Sequence, residues 1–162
     1  MYNYYLISPN KYDIILFLLL ISISGCKKSG TTPDPVITDT AKPTISILKP
    51  SVGQTFVAGN TIPFQATFND NKELKSYEIA ISKVVTGGSI LKNVPTSVPF
   101  SYLKSSTNFA SGTKQQEVNL GDITIPSNTA NAFVTPGKYN FKVICVDGSN
   151  NSTETILEIN IN

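Results

Sequence analysis

The chain of 162 residues contains no histidine, no arginine and no tryptophan. Histidine is the usual general base and the commonest metal ligand, so its absence argues against most hydrolytic and transition-metal chemistry. Without arginine there is no planar donor fork for bidentate contacts to phosphate or guanine, and the thirteen lysines form no basic cluster against eleven acidic residues. We therefore expect a protein that is not an enzyme and has no nucleic-acid partner.

The sequence also lacks an apolar run long enough to span a bilayer as a helix. Residues 14–23 read IILFLLLISI, whereas a membrane-spanning helix needs about 20 apolar residues. A lysine ahead of this run and small residues behind it are typical of a secretory signal. Ile23-Ser24-Gly25-Cys26 resembles the lipobox of bacterial lipoproteins, which implies a signal peptide over 1–25 and lipidation of Cys26. The alternative is a plain signal peptide with a chance cysteine.

The residues after Cys26 bear on localisation. In lipoproteins an Asp directly after the cysteine favours the inner membrane, and Lys27 stands at that place, so the resemblance implies the outer membrane. Residues 27–30 read KKSG and supply no acidic export signal of the kind that directs some lipoproteins to the cell surface. Whether the protein faces the periplasm or the exterior therefore stays open.

Lipidation of Cys26 leaves Cys145 as the second and last cysteine. No intramolecular disulfide can then form, despite the oxidising compartment that a secretory signal indicates. We predict that Cys145 is a small buried hydrophobic residue, because a nucleophilic thiol would lack any histidine partner.

Residues 26–42 are predicted to form a lipidated cysteine and a flexible linker. The segment is rich in Thr, Pro, Gly and charge and cannot bury a core of its own. Within it, Asp39-Thr40-Ala41 resembles a short acceptor motif for protein O-glycosylation in some Gram-negative groups. Thr40 is therefore a candidate glycosylation site, and a plain linker is the alternative.

The rest of the chain predicts strands and no helices. Alternating apolar residues favour strands at 44–48, 61–68, 74–85, 117–125, 136–148 and 153–161, with a short strand at 99–103 inside the loop-rich segment 86–114. Pro63 favours an early or edge position for its strand, and a change of parity at Gly121-Asp122 predicts a bulge. The pattern indicates an all-β fold, an immunoglobulin-like antiparallel β-sandwich of about seven strands.

Two sets of motifs carry a family resemblance. Residues 136–143, PGKYNFKV, followed by Asp147-Gly148, resemble the penultimate strand of bacterial immunoglobulin-like domains of the PKD and cadherin-like kind. There a tyrosine, here Tyr139, places its ring in the core and its hydroxyl on the backbone. Residues 42–45, 50–53, 68–71 and 73–77 resemble an uncharacterised family of lipid-anchored Gram-negative proteins with one such domain. The resemblance implies a single domain over 43–162 and no particular ligand.

An immunoglobulin-like order of strands places two polar loops at one end of the sandwich. These loops would bring together oxygen-bearing side chains from Asn69, Asp70, Glu73, Asp147, Asn150 and Asn151. Such hard oxygen ligands suit Ca²⁺. The alternative is that Asp and Asn are present because tight turns require them. Apart from this Ca²⁺ we expect no cofactor.

In the same order the first strand begins at the end that bears these loops, so the tether leaves the domain there, and residues 86–114 lie toward the far end or the flank. That segment carries Tyr102 and Phe109 among Ser, Thr, Asn and Lys, a mixture suited to contact with protein or glycan. A mobile, solvated loop is the alternative.

These observations predict a lipid-anchored outer-membrane lipoprotein that binds the membrane through its N-terminal lipid and acts as a non-catalytic binding or structural module. Two other functions stay open. One is a glycan-binding accessory subunit of a nutrient-uptake complex, which exposed aromatic rings lying flat and parallel would favour. The other is a Ca²⁺-stabilised adhesin domain.

Overall fold

The structure, a computed structural model, describes residues 38–85 and 96–162. The predicted signal peptide, Cys26 and residues 27–37 of the predicted linker lie outside the described residues. Thr38–Asn162 forms one compact unit. Within the described ranges, no helix is long and apolar enough to cross a membrane.

The described residues form ten β-strands. They are β1 (Thr44–Lys49), β2 (Thr55–Phe56), β3 (Thr61–Asn69), β4 (Leu74–Lys83), β5 (Thr96–Val98), β6 (Tyr102–Asn108), β7 (Gln115–Thr124), β8 (Ala132–Val134), β9 (Gly137–Asp147) and β10 (Ser152–Ile161). Seven of them are long, and β2, β5 and β8 have only two or three residues each.

The strands form an immunoglobulin-like sandwich, as the sequence predicts. One sheet has the order β1-β3-β7, the other has the order β2-β10-β9-β4-β6, and β5 and β8 form a short ribbon. Neighbours in the two large sheets are antiparallel except β2, which runs parallel to β10. Hairpin and crossover connections therefore place the turn after β3 and the turn after β9 at the same end.

The core lies between the two large sheets and follows the predicted alternation. Phe64 of β3 stacks on Phe141 of β9 with ring centroids 5.7 Å apart, which joins the sheets across the sandwich. The inward positions predicted from alternation are buried on three strands: Ile62, Phe64, Ala66 and Phe68; Tyr77, Ile79 and Ile81; Tyr139, Phe141, Val143 and Cys145.

β6 differs from the prediction. The sequence favours a loop with a short strand at 99–103, whereas the strand covers Tyr102–Asn108 and pairs with β4 at the edge of the five-stranded sheet. An edge strand needs few inward apolar residues, and YLKSSTN has little alternation. Its regular structure comes from backbone pairing to β4, and the sequence pattern of one strand does not show what that strand pairs with.

Pro63 lies in the middle strand of its sheet and not at an edge. Two features accommodate it. Pairing of β3 with β1 ends at Gln65, and the register between β3 and β7 shifts between Ile62 and Phe64. Ile62 pairs with Ile123 and Phe64 with Leu120, so β7 carries one extra residue there. This bulge confirms the one predicted at Gly121-Asp122, and it explains how a central strand tolerates proline.

The two ends of the sandwich have different chemistry. We call the end formed by residues 38–43, the β3–β4 turn and the β9–β10 turn the acidic end. We call the opposite end, where residues 98–100 meet residues 135–139, the tyrosine end. At the tyrosine end the Tyr139 hydroxyl donates to the Thr135 carbonyl at 2.6 Å and accepts from the Phe100 N–H at 3.3 Å. The predicted tyrosine corner is confirmed.

Candidate metal centre

The β3–β4 turn at the acidic end is organised by Asp70. Its Oδ1 accepts the backbone N–H groups of Lys72 at 2.8 Å and Glu73 at 2.7 Å, the usual way in which an aspartate closes a turn. The Gly148 N–H of the β9–β10 turn donates to the Glu73 carbonyl at 2.8 Å. The two loops are therefore neighbours, as the topology predicts.

Asp147 organises the second turn. It is 1% exposed, and its Oδ1 accepts the Asn151 N–H at 2.7 Å while its Oδ2 accepts the Asn151 side-chain amide at 2.7 Å. Asn150 has a φ of 69°, a left-handed conformation that asparagine adopts more readily than most residues. This turn therefore holds the Asp147 carboxylate in a fixed position.

Residues 38–43 pack onto these turns. The Asp39 Oδ1 accepts the Ala41 N–H at 3.0 Å and the Asn71 side-chain amide at 3.2 Å. The Asn151 amide donates to the Asp39 carbonyl at 3.0 Å, and the Thr153 hydroxyl donates to the Pro43 carbonyl at 2.5 Å. The compact unit begins at Thr38, so the last residues of the predicted linker belong to the folded body.

Three carboxylates meet at this place. Asp39, Asp70 and Asp147 each offer one oxygen, and these oxygens lie within 4.8 Å of one another. Asp39 is 8% exposed. The Oδ2 atoms of Asp39 and Asp70 are buried and have no hydrogen-bond partner among the described residues. Because buried polar atoms are nearly always partnered, these two oxygens are available to a donor or a cation at this site.

The carboxyl group of Asp39 is ionised at neutral pH. Its pKa lies below the ordinary value chiefly because the Ala41 N–H donates to it, and the Asn71 amide and the Lys72 charge act in the same direction while burial opposes them. An ionised carboxylate only accepts. Its buried Oδ2 therefore requires a donor or a cation.

Two of the six predicted ligands, Asp70 and Asp147, lie in the cluster. Asn151 lies beside it and donates through its amide nitrogen. Asn69 belongs to the strand ladder, where its carbonyl accepts from the Thr44 hydroxyl at 3.4 Å. The Asn150 Oδ1 accepts from the Lys75 ammonium at 2.6 Å and so faces another partner.

Glu73 was predicted as a ligand and has a different role. Its Oε1 accepts the Gly112 N–H at 2.6 Å and the Ser111 hydroxyl at 3.0 Å. The bond from Gly112 is the main cause that lowers the pKa of Glu73 below its ordinary value, and the bond from Ser111 adds to it. Burial acts in the opposite direction. Residues 109–114 therefore lie at the acidic end, and the expectation that they lie toward the far end or the flank is wrong.

Sequence reasoning missed Asp39 because it falls in a stretch with the composition of a linker. One signal could have found it. The first strand starts at the end that carries the two polar loops, so an acidic residue shortly before Thr44 must lie beside them. The neighbouring Thr40 is exposed, and its glycosylation stays a prediction.

Cys145 lies beneath the cluster. The side chain is fully buried, which confirms that it serves as a small core residue. Burial, as the largest cause, and the charges of Asp70 and Asp147 together raise the pKa of its thiol to about 12. Cys145 is not one of the clustered groups, and the donor set of the cluster consists of oxygens.

The two aromatic residues predicted for partner contact are half-buried and pack against the core. The Phe109 ring lies 5.5 Å from that of Phe68 and 5.4 Å from that of Tyr77, at tilted angles. Tyr102 lines a concavity of about 420 Å³ that Phe100 and Phe133 also line. The exposed, parallel rings that would favour glycan binding are not found among the described residues 96–114.

Solved structures with a similar arrangement of strands include proteins from three bacteria. The fibronectin(III)-like modules of CbhA from Clostridium thermocellum are 18% identical over 74% of this chain and 46% of that chain, with a TM-score of 0.41. OgpA from Akkermansia muciniphila is 7% identical over 75% and 30%, with a TM-score of 0.43. A beta-glucosidase from Listeria innocua is 11% identical over 72% and 16%, with a TM-score of 0.38. The chain thus spans less than half of each.

No relative was found among curated proteins. Residues 25–162 match a domain of unknown function, DUF4625, and this match covers most of the sequence. The chain belongs to the DUF4625 family.

Proposed function

We propose that this protein is a lipoprotein anchored in the outer membrane through Cys26, and that its immunoglobulin-like domain acts without catalysis as a binding or structural module. The observation that carries the proposal is the position of Thr38 and Asp39 at the acidic end. A tether that runs from Cys26 joins the sandwich there. The tyrosine end is then the end of the domain opposite the tether.

Two features of the sequence support the anchor. The apolar run at 14–23 ends in small residues followed by Cys26, the arrangement of a cleaved and lipidated leader. The match to the DUF4625 family begins at residue 25, next to the proposed cleavage site, so the apolar run lies outside the matched residues.

The chemistry of the described residues supports a non-catalytic role. The Cys145 thiol is buried and protonated. The Lys83 ammonium donates to the Pro136 carbonyl at 2.6 Å and lies 5.0 Å from the centre of the Tyr139 ring, which makes it part of the corner. The Glu73 carboxylate accepts hydrogen bonds from Ser111 and Gly112 and so fixes the loop that contains them. These reactive groups are therefore used for structure.

A glycan-binding accessory role is the second candidate, and one observation favours it. The concavity at the tyrosine end combines aromatic rings with the polar residues Ser101, Ser127 and Thr129. Sugar sites use such combinations of apolar lining and a few polar groups. Because it lies at the end opposite the tether, this concavity is the proposed place of contact with an extracellular or periplasmic ligand.

The anchor is tested by membrane partitioning of the tagged full-length protein and its Cys26→Ala variant. We expect the parent to enter the detergent phase and the variant to stay in the aqueous phase. Equal partitioning of both forms would contradict the anchor. Protease digestion of intact cells then decides the facing, since digestion indicates the cell surface and protection until the outer membrane is opened indicates the periplasm.

A further inference from the structure

We propose that Asp39, Asp70 and Asp147 bind one Ca²⁺ ion, and that this ion fastens residues 38–43 to the two turns of the acidic end. The proposal rests on the described cluster and does not depend on lipidation. Its central feature is that the three carboxylates come from three separate segments of the chain. An ion bound among them would act as a cross-link at the start of the domain.

The spacing of the oxygens fits this ion. Ca²⁺ takes about 6–8 oxygen ligands at roughly 2.3–2.6 Å, so ligands on opposite sides of the ion lie up to about 4.6–5.2 Å apart. The three oxygens of the cluster lie within 4.8 Å of one another. One ion can therefore contact all three, with backbone carbonyls or water completing the coordination sphere.

Charge also favours a divalent cation. Three aspartates approach one another, and Asp39 and Asp147 are almost completely buried. Like charges held together out of water are unfavourable unless a cation or donor offsets them. Lys72 acts on Asp39 from nearby, but the two buried Oδ2 atoms still have no partner among the described residues.

Turn chemistry alone does not explain the cluster. Asp70 closes its turn with Oδ1, and the turn does not explain why its Oδ2 is buried. Asp39 precedes β1 and is not needed for either turn, yet its carboxylate is directed to the same place. The atoms that the turns do not use are the ones without partners. A bound cation accounts for both.

The donor types select Ca²⁺ over other metals. The chain has no histidine, and Cys145 is not among the clustered groups, so the nitrogen and sulfur ligands of zinc and copper are missing. Mg²⁺ requires shorter distances of about 2.0–2.1 Å and near-octahedral geometry. Three carboxylates held by packed turns meet the looser demands of Ca²⁺ more readily.

The test is thermal unfolding of the full-length protein in detergent, stripped with EDTA and then given calcium or magnesium at millimolar concentration. We expect calcium to raise Tm and magnesium to raise it less, since a ligand that binds only the folded state stabilises it. Asp39→Asn removes one charged ligand and keeps an oxygen that can accept from Ala41 and Asn71. It should abolish the calcium-dependent rise.

Glu158→Gln is the matched control. It removes a carboxylate that forms an exposed ion pair with Lys138 at 2.7 Å, far from the acidic end, and it should keep the full calcium effect. A parent protein without a calcium-dependent rise, or an Asp39→Asn variant with an unchanged rise, would overturn the proposal. Calorimetric titration of calcium into the stripped parent gives the same decision without any variant.

The same titration on the Cys26→Ala form separates this proposal from the proposed anchor. We expect equal calcium binding with and without Cys26. Failure of membrane partitioning together with intact calcium binding would contradict the anchor alone. Loss of calcium binding in both forms would contradict the metal site alone.

Discussion

The two ends of this sandwich use buried polar groups in opposite ways. At the tyrosine end the Tyr139 hydroxyl both donates and accepts, and its ring fills the core. At the acidic end two carboxylate oxygens are buried without partners among the described residues. A satisfied polar group is explained by the fold that it stabilises. An unsatisfied one calls for a partner that the described residues do not supply.

The ends also differ in how their parts are held together. The tyrosine end joins residues 98–100 to residues 135–139 by neutral hydrogen bonds and aromatic packing, with Phe100 and Tyr139 rings 6.4 Å apart. The acidic end joins three segments through carboxylates. We therefore expect the first end to be insensitive to divalent cations and the second to depend on them.

The largest effect is expected at the tyrosine end. Tyr139→Ala removes a fully buried ring and should lower the free energy of unfolding by about 3–5 kcal/mol. Tyr139→Phe keeps the ring and loses the hydroxyl bonds, which should cost about 1–2 kcal/mol. Urea denaturation measures both. Equal costs for the two variants would show that the ring contributes nothing beyond its hydroxyl.

Asp70 offers a way to separate a turn role from a ligand role at the acidic end. Asp70→Ala removes the acceptor for two backbone N–H groups and should cost about 1–2 kcal/mol without metal. Asp70→Asn keeps an acceptor and should cost less. Both variants should lose the calcium-dependent rise in Tm. An Asp70→Asn variant that keeps this rise would contradict the ligand role.

Glu73 should make the acidic end sensitive to acid. Its pKa in the folded state lies below the reference value of 4.5, so its contribution to stability is fully present above pH 4.5 and is lost as the pH falls through the folded-state pKa. Glu73→Gln should lower Tm by a few degrees at neutral pH. The difference in Tm from the parent should shrink on acidification, and a difference independent of pH would contradict this role.

The smallest expected change concerns Cys145. Burial and two neighbouring carboxylates raise the pKa of its thiol to about 12, so the native Cys26→Ala protein should not react with a thiol reagent at pH 8. The same protein should react fully in denaturant. Rapid labelling of the native form would show that the core beneath the acidic end opens readily.

Much of the fold could be predicted because alternation marks the strands that form the core. β3 and β9 each place four inward residues in the interior, and such strands have a clear pattern. β6 could not be predicted well, because an edge strand with polar residues is defined by pairing to β4. The central position of β3 was missed for a related reason, since the bulge that accommodates Pro63 depends on β7.

The candidate site was predicted in part. Topology alone brought Asp70 and Asp147 together, because the turns after β3 and β9 share one end. It could not separate them from Glu73 and Asn150, whose side chains turn to Gly112 and Lys75. Asp39 was missed because the composition of the segment around it indicates a linker. The segment is fixed by hydrogen bonds from three residues of the sandwich, Asn71, Asn151 and Thr153.

The most direct test of the difference between the ends is a crystal structure of the protein grown with calcium, with an anomalous difference map. The account predicts one peak among the Asp39, Asp70 and Asp147 carboxylates, at roughly 2.3–2.6 Å from an oxygen of each, and none at the tyrosine end. A map without a peak among the three carboxylates would contradict it.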